Sequence, residues 1–167
     1  MITEIRIGDV AVQLEQTEMA AVQRHFGGVL GQRGDAGDAL GWLCLTGKGA
    51  AGTYALWLLS GEIHGSTIGG FRLQSVPPAA TVDHRCSALP AGTIIQMQPA
   101  GLYLGMSHSA AMELLGAPSR GVGNTAFYLH EHDLNIRNEP YTLSNSVMVE
   151  YRDGALAAID VWQTTVN

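Results

Sequence analysis

Charge, sulfur and long apolar runs are all scarce in this chain, and each scarcity excludes something. Charged residues make up 14% of 167, and the nine Lys and Arg are scattered. A phosphate-binding face needs its cations gathered, so a nucleic-acid partner is not expected. No stretch approaches the roughly 20 apolar residues of a membrane-spanning helix. The two cysteines, Cys44 and Cys86, are too few and too far apart for a zinc site. A single pair suggests a disulfide in an exported protein, whereas Leu43-Cys44-Leu45 reads as an apolar strand holding a buried free thiol. Both readings stay open. Met1-Ile2-Thr3-Glu4 lacks the basic stretch and apolar core of a signal peptide. A native cytoplasmic start fits, and so does a periplasmic or secreted domain whose leader was removed.

Motifs for bond-breaking chemistry are missing too. There is no Gly-x-Ser-x-Gly elbow, and neither cysteine sits in a reactive context. Gly65-Ser66-Thr67-Ile68-Gly69-Gly70 lacks the lysine and the strand–loop–helix frame of a phosphate loop, and reads as a bulge or wide turn. Arg33-Gly34-Asp35 is a loop tripeptide of a kind that arises by chance.

What is present is globular: 46% hydrophobic residues, 21 glycines, and a net charge of −6. That acidic balance fits a basic protein partner or plain solubility. The chain also repeats itself. Leu14, Thr17, Ala20, Ala21, Phe26 and Gly27 take the places of Leu104, Ser107, Ala110, Ala111, Leu115 and Gly116, about 90 residues later. Repetition of this kind sets architecture before any motif is read. It leads to an α+β expectation of two tandem helix-plus-antiparallel-sheet units, with the helices on one face. The first unit spans 1–78, a connector 79–92, and the second unit 93–167.

In the first unit a strand is expected over Ile5–Val12 and a helix capped by Thr17 that ends at Gly27-Gly28. A loop follows over Gly31–Asp38. Strands Leu40–Leu45 and Thr53–Leu59 are divided by Gly47–Gly52, and Ile63–Ile68 or Phe71–Val76 returns the chain. Pro77-Pro78 breaks it. In the second unit Thr93–Met97 is a strand, Ser107 caps a helix, and Gly116-Ala117-Pro118 stops it. Thr125–His132 alternates as a strand, and Asp133–Tyr141 is a polar loop. Leu143–Tyr151 and Ala155–Thr165 form a hairpin turning at Arg152-Asp153-Gly154, with Ile159, Val161 and Gln163 opposite Val147, Val149 and Tyr151.

Gly101-Leu102-x-Leu104-Gly105-Met106-Ser107, a short helix ending Leu115-Gly116-Ala117-Pro118, and an Asp-Gly hairpin together resemble the SmpA/OmlA (BamE-type) domain of bacterial outer-membrane lipoproteins. They also resemble the related beta-lactamase inhibitory proteins, BLIP, which carry two tandem copies. The likeness covers Gly101–Thr165 and, more weakly, Val10–Gln74, where Glu15-Gln16 replaces Gly105-Met106. It implies a non-enzymatic protein that binds another protein through an exposed sheet, of inhibitor or immunity type, needing no cofactor.

Exposed aromatics would anchor such a partner. The candidate surface is Trp42, Tyr54, Trp57, Tyr128, His130, His132, Tyr151 and Trp162, each weighed against simple core packing. Two alternatives stand beside it. His130 and His132, sharing a strand face with Asp133 or His108 nearby, could centre a small metal-dependent enzyme. The sheet could instead be consumed by self-association as an envelope structural protein, and a homodimer stays open.

Overall fold

The computed structural model describes residues 1–35, 39–98 and 101–167. β1 (Glu4–Ile7) and β2 (Val10–Gln13) form a hairpin, followed by α1 (Met19–Phe26). Next come β3 (Gly31–Arg33), β4 (Leu40–Gly49), β5 (Gly52–Gly61) and β6 (Gly70–Ser75). A short stretch carries β7 (Ser87–Ala88) and β8 (Ile95–Gln98) to α2 (His108–Leu115). β9 (Arg120–Val122), β10 (Thr125–Ile136), β11 (Glu139–Arg152) and β12 (Ala155–Val166) close the chain.

A nine-stranded sheet dominates, in the order β3-β4-β5-β6-β12-β11-β10-β9, with β7 added parallel to β4. β2-β1-β8 form a small three-stranded sheet. This overturns the expectation of tandem α+β units. The protein is mostly antiparallel sheet, and its two helices, among the described residues, are eight residues each. The physical reason lies in the β6–β12 ladder, which runs from Gln74↔Ala158 to Gly70↔Trp162 and joins both halves' strands in one sheet. Strands of 12, 14 and 12 residues in β10, β11 and β12 then outweigh the helices. The order is nonetheless symmetrical about that seam, each half's last strand lying at it and its earlier strands successively further out.

The two helices are approached in the same way. Glu15 N–H donates to Ile68 O (2.7 Å) and Ile68 N–H to Thr17 O (2.9 Å). Gly105 N–H donates to Leu156 O and Leu156 N–H to Met106 O, both at 2.8 Å. Both approaches bend through the left-handed region, Glu15 at φ 62° and Gly105 at φ 87°. Glycine adopts that conformation freely, and glutamate adopts it at a cost of order 1 kcal/mol. Ser107 caps α2 through Ala110 N–H, as its position predicts. Thr17 does not cap α1: its hydroxyl takes the Gln13 N–H (2.9 Å), and Glu18 holds the cap position without a side-chain bond.

Alternation along the long strands buries one face of the large sheet. Leu43, Leu45, Leu56, Leu58, Phe71, Leu73, Val147, Val149, Ile159 and Val161 form a single core with Ile5, Ile7, Val12 and Met97 of the small sheet. Asn145 sews the two sheets together. Its buried amide accepts from Ile2 N–H (3.0 Å) and donates to Ile2 O (2.8 Å), doing the work of a neighbouring strand.

Four local expectations are corrected. The strand over Ile5–Val12 is a hairpin, folded at Gly8. Gly31–Arg33 is a strand, while residues 36–38 of that expected loop lie outside the described residues. The polar segment 133–141 is no loop, because β10 runs on to Ile136 and β11 starts at Glu139 across a two-residue turn. Arg137 (φ 55°) and Asn138 (φ 68°) give that turn its left-handed pair, the form matched to strand twist. Opposite Tyr151 lies Leu156 rather than Ile159, since a bulge shifts the register at Glu150/Tyr151. Within the expected connector, β7 pairs with β4, and Cys86 is disulfide-bonded to Cys44.

Candidate functional site

Among the described residues, no helix or strand is layered on the second face of the large sheet. Strand register places its residues in rows. One row reads Trp42, Leu59, Gly70, Trp162, Ser146, Leu129 across β4, β5, β6, β12, β11 and β10. The next reads Cys44, Trp57, Arg72, Asp160, Met148, Phe127 across the same six strands. All three tryptophans of the protein therefore project from this face, each partly exposed.

Their flat setting has a cause. Trp42 lies over its cross-strand partner Gly31, where an added Cβ would come within 2.0 Å of the ring. Trp162 lies over Gly70, where it would come within 2.7 Å of the ring and 2.5 Å of Val161 O. Glycine makes room for an indole to lie down, which produces a floor rather than a ridge. Next to Trp162, His64 fills the space over Gly69 in the same manner. The Gly-rich segment thus serves close packing.

Arg72 sits at the centre of the face. Its guanidinium bonds Asp160, Glu150 (3.0 Å) and Gln74 (2.7 Å). Burial pushes the Asp160 carboxyl above its ordinary range, and the opposing pull of Arg72 does not cancel it. At the β4 side Arg85 lies over both Trp42 (5.5 Å) and Trp57 (5.4 Å). A bidentate bond from Arg85 holds the Asp83 carboxyl well below the usual carboxylate range. Between these groups is a shallow depression of about 300 Å³, lined by Trp42, Trp57 and Leu59 with Arg33, Arg72 and Arg85.

The Arg72 network supports a pH prediction. A carboxyl whose folded pKa is raised binds more protons in the native state, so its contribution to stability falls as pH rises through that pKa. Arg72→Met should cost about 2 kcal/mol at pH 7, less than the loss from a fully buried pair because Arg72 is partly exposed. The deficit should shrink at pH 4.5, where Asp160 can protonate. Urea melts of both proteins at the two pH values check this, and a deficit that does not change with pH would show that Asp160's charge is not involved.

A second polar group of residues lies where β12 outruns β6. Glu15 accepts from Thr165 N–H and Oγ1 (both 2.7 Å) and from Gln163 Nε2 (3.1 Å). His64 Nε2 donates to Gln163 O (2.7 Å), 4.0 Å from Glu15 Oε1. These side chains supply the hydrogen bonds a continued β6 would have made, so they read as an edge cap. Glu15 was missed in the sequence. The signal was its own mismatch, a glutamate where the second copy has Gly105.

The candidate residues separate. Trp42, Trp57 and Trp162 share the open face. Tyr54, Tyr128 and Tyr151 are corrected out of the binding surface: they are 6, 2 and 9% exposed and point into the core. Burial pushes all three phenols up. The Tyr54 hydroxyl donates to Thr93 O (3.3 Å), and His108 packs edge-on against Tyr151 at 4.5 Å. His130 and His132 lie on β10 with the parity of Tyr128, away from the tryptophans. Partial burial first, then the charges of the α-amino group and His132, hold His130 below the usual imidazole range. Among the described residues no three His, Cys, Asp or Glu side chains are gathered as for a metal ion. No helix there is long and apolar enough to cross a membrane.

A larger cleft of about 510 Å³ opens between the β4–β5 turn and the Thr93–Ile95 segment, beside Tyr103 and Leu104. Its lining is chiefly apolar, and the Tyr54 hydroxyl there is already bonded. Compared with protein-family models, curated proteins and solved structures, the chain matches none.

Proposed function

We propose that this chain is a non-enzymatic recognition protein, of inhibitor or immunity type, that holds another protein against the open face of its large sheet. The observation that carries this is the set of three indoles on the open face beside Arg72, two of them lying flat over glycines. Tryptophan and arginine dominate the energetics of protein interfaces, because each brings area or directed bonds at little entropic cost. A broad floor with one shallow depression suits a folded partner better than a small molecule, which needs a pocket that encloses it. The likeness of Gly101–Ser119 to the SmpA/OmlA and BLIP group favours the same class. Of the two compartments left open, the Cys44–Cys86 disulfide favours the periplasmic or secreted one, where such bonds persist.

Capture from the native host with immobilised protein tests the proposal. A specific partner should lose about 1,000-fold in affinity on Trp57→Ala with Trp162→Ala, since interface tryptophans each contribute about 2 kcal/mol or more. Tyr103→Ala, on the cleft side, should change nothing. Unaltered affinity in the tryptophan variant, with its circular dichroism intact, would remove the open face from the site.

A further inference from the structure

The two outer strands of the large sheet are finished differently. At one end β4 is covered twice: β3 pairs with its first residues, and β7 pairs with Leu45 and Thr46 beyond them. The Cys44–Cys86 disulfide holds that second cover in place. At the other end β10 is covered once. β9 pairs with Thr125–Phe127, Ser119 Oγ accepts from Leu129 N–H (3.2 Å), and no strand among the described residues lies beyond. Superposing the two ends by their Gly31↔Trp42 and Arg120↔Phe127 pairs sets the β7 position beside His130 and Glu131.

Backbone direction alternates along a strand flanked by antiparallel neighbours. Leu129 N–H points out of the sheet, so Glu131, Asp133 and Asn135 also turn their N–H and C=O groups outward. Glu131–Pro140 is exposed throughout. Where β12 overruns β6, by contrast, Glu15 and His64 cap such groups.

We propose that the outer edge of β10, from Leu129 to Asn135, accepts an extended segment of another protein carrying Lys or Arg at alternate positions, as an added strand in the place β7 takes on β4. Charge selects this occupant. Two copies pairing edge to edge about a twofold axis set Glu131 or Asp133 against Glu131 or Asp133 in each register centred from residue 131 to 133. Like charges directly opposite one another are destabilising in a sheet. A cationic strand meets the same two carboxylates favourably, and its main chain takes the outward groups whatever the rest of its sequence. This surface is distinct from the tryptophan floor, and either can stand without the other.

The test uses a capped eight-residue peptide of alternating valine and lysine, with its valine–glutamate counterpart as control, at low salt. The lysine peptide should bind saturably and slow hydrogen exchange at the amides of 131, 133 and 135 at least tenfold. The amides of 130, 132 and 134, which face β11, should be unaffected. Asp133→Pro removes an outward N–H without touching the β11 ladder and should weaken binding at least tenfold. Should that variant fail to fold, Glu131→Lys with Asp133→Lys keeps the strand and should reverse the preference toward the glutamate peptide. Trp57→Ala should bind the lysine peptide normally, which separates this surface from the open face. Absence of binding, equal binding of both peptides, or slowed exchange at 131, 133 and 135 in the protein alone at rising concentration would each overturn the proposal, the last by showing that a second copy is the occupant.

Discussion

Replacing Cys44 and Cys86 with alanine is expected to lower stability by about 4 kcal/mol, the chain-entropy value for a cross-link closing a loop of this length. For a chain of this size that corresponds to a fall in Tm of roughly 8–16 °C. The loop runs from the middle of β4 through β5, β6 and the Pro77–Pro78 stretch, so opening it frees much of the first half in the unfolded ensemble. A local effect adds to this. Cys86 follows Arg85, which stacks over Trp42 and Trp57, and precedes β7, which shields β4. Untethering Cys86 should therefore leave β4 less protected against hydrogen exchange at Thr46, whose backbone groups face β7, with β12 amides little changed. Thermal melts with and without reductant check the magnitude. A loss under 1 kcal/mol would mean that the segment around β7 is held by its own contacts.

Asn145→Ala should cost about 3 kcal/mol. The substitution strips partners from both Ile2 N–H and Ile2 O in a buried setting, and each orphaned backbone group costs about 1–3 kcal/mol. Ile2 precedes β1 and belongs to no strand, so it can recover some of that by shifting, which sets the figure below the simple sum. Asn145→Asp is the informative control. It keeps an acceptor for Ile2 N–H but points a second oxygen at Ile2 O, so it should be as damaging as alanine near neutral pH and recover toward acid. Denaturant melts measure both variants, and loosening should appear first in β1, β2 and β8. Equal stability of all three proteins would show that the apolar contacts of Ile5, Ile7 and Met97 hold the small sheet unaided.

Much of the sheet was legible because half-buried strands write their burial as alternation. The hairpin that faces Val147 and Val149 with Val161 and Ile159 was legible in the pattern, although its pairs, Val147↔Val161 and Val149↔Ile159, lie two residues from the expected register, and the turn at Asp153-Gly154 announced itself by composition. The same rule explains where reading stopped. Residues 131–140 have no core beneath them, both faces meet water, and strand there leaves no periodic trace. β3 and β7, of three and two residues, are too short to show a period at all. The class was misjudged because helix signals such as Ser107 and Gly116 are sharp yet mark only eight residues. The union of β6 with β12 depends on tertiary placement and leaves no local mark.

Of the candidate site, the tryptophans were visible as residue types, but their common face rests on the register of three ladders. The three tyrosines could not be separated from them by sequence, since a ring on a strand is a reasonable anchor and a reasonable core residue alike. Parity within a strand divides them. Trp57 and Tyr54 fall on opposite faces of β5, just as Trp162 and Val161 do on β12.

The symmetrical sheet has a consequence for biosynthesis. Its central seam joins residues in the seventies to residues near 160, so β12, made long after β6, inserts beside it in the middle of the sheet. Until β12 arrives, β6 waits with one margin unclosed, and contacts this distant in sequence are slow to form. A nascent chain in that condition is open to invasion by other extended polypeptides. Whatever escorts it must shield β6 until β12 has emerged.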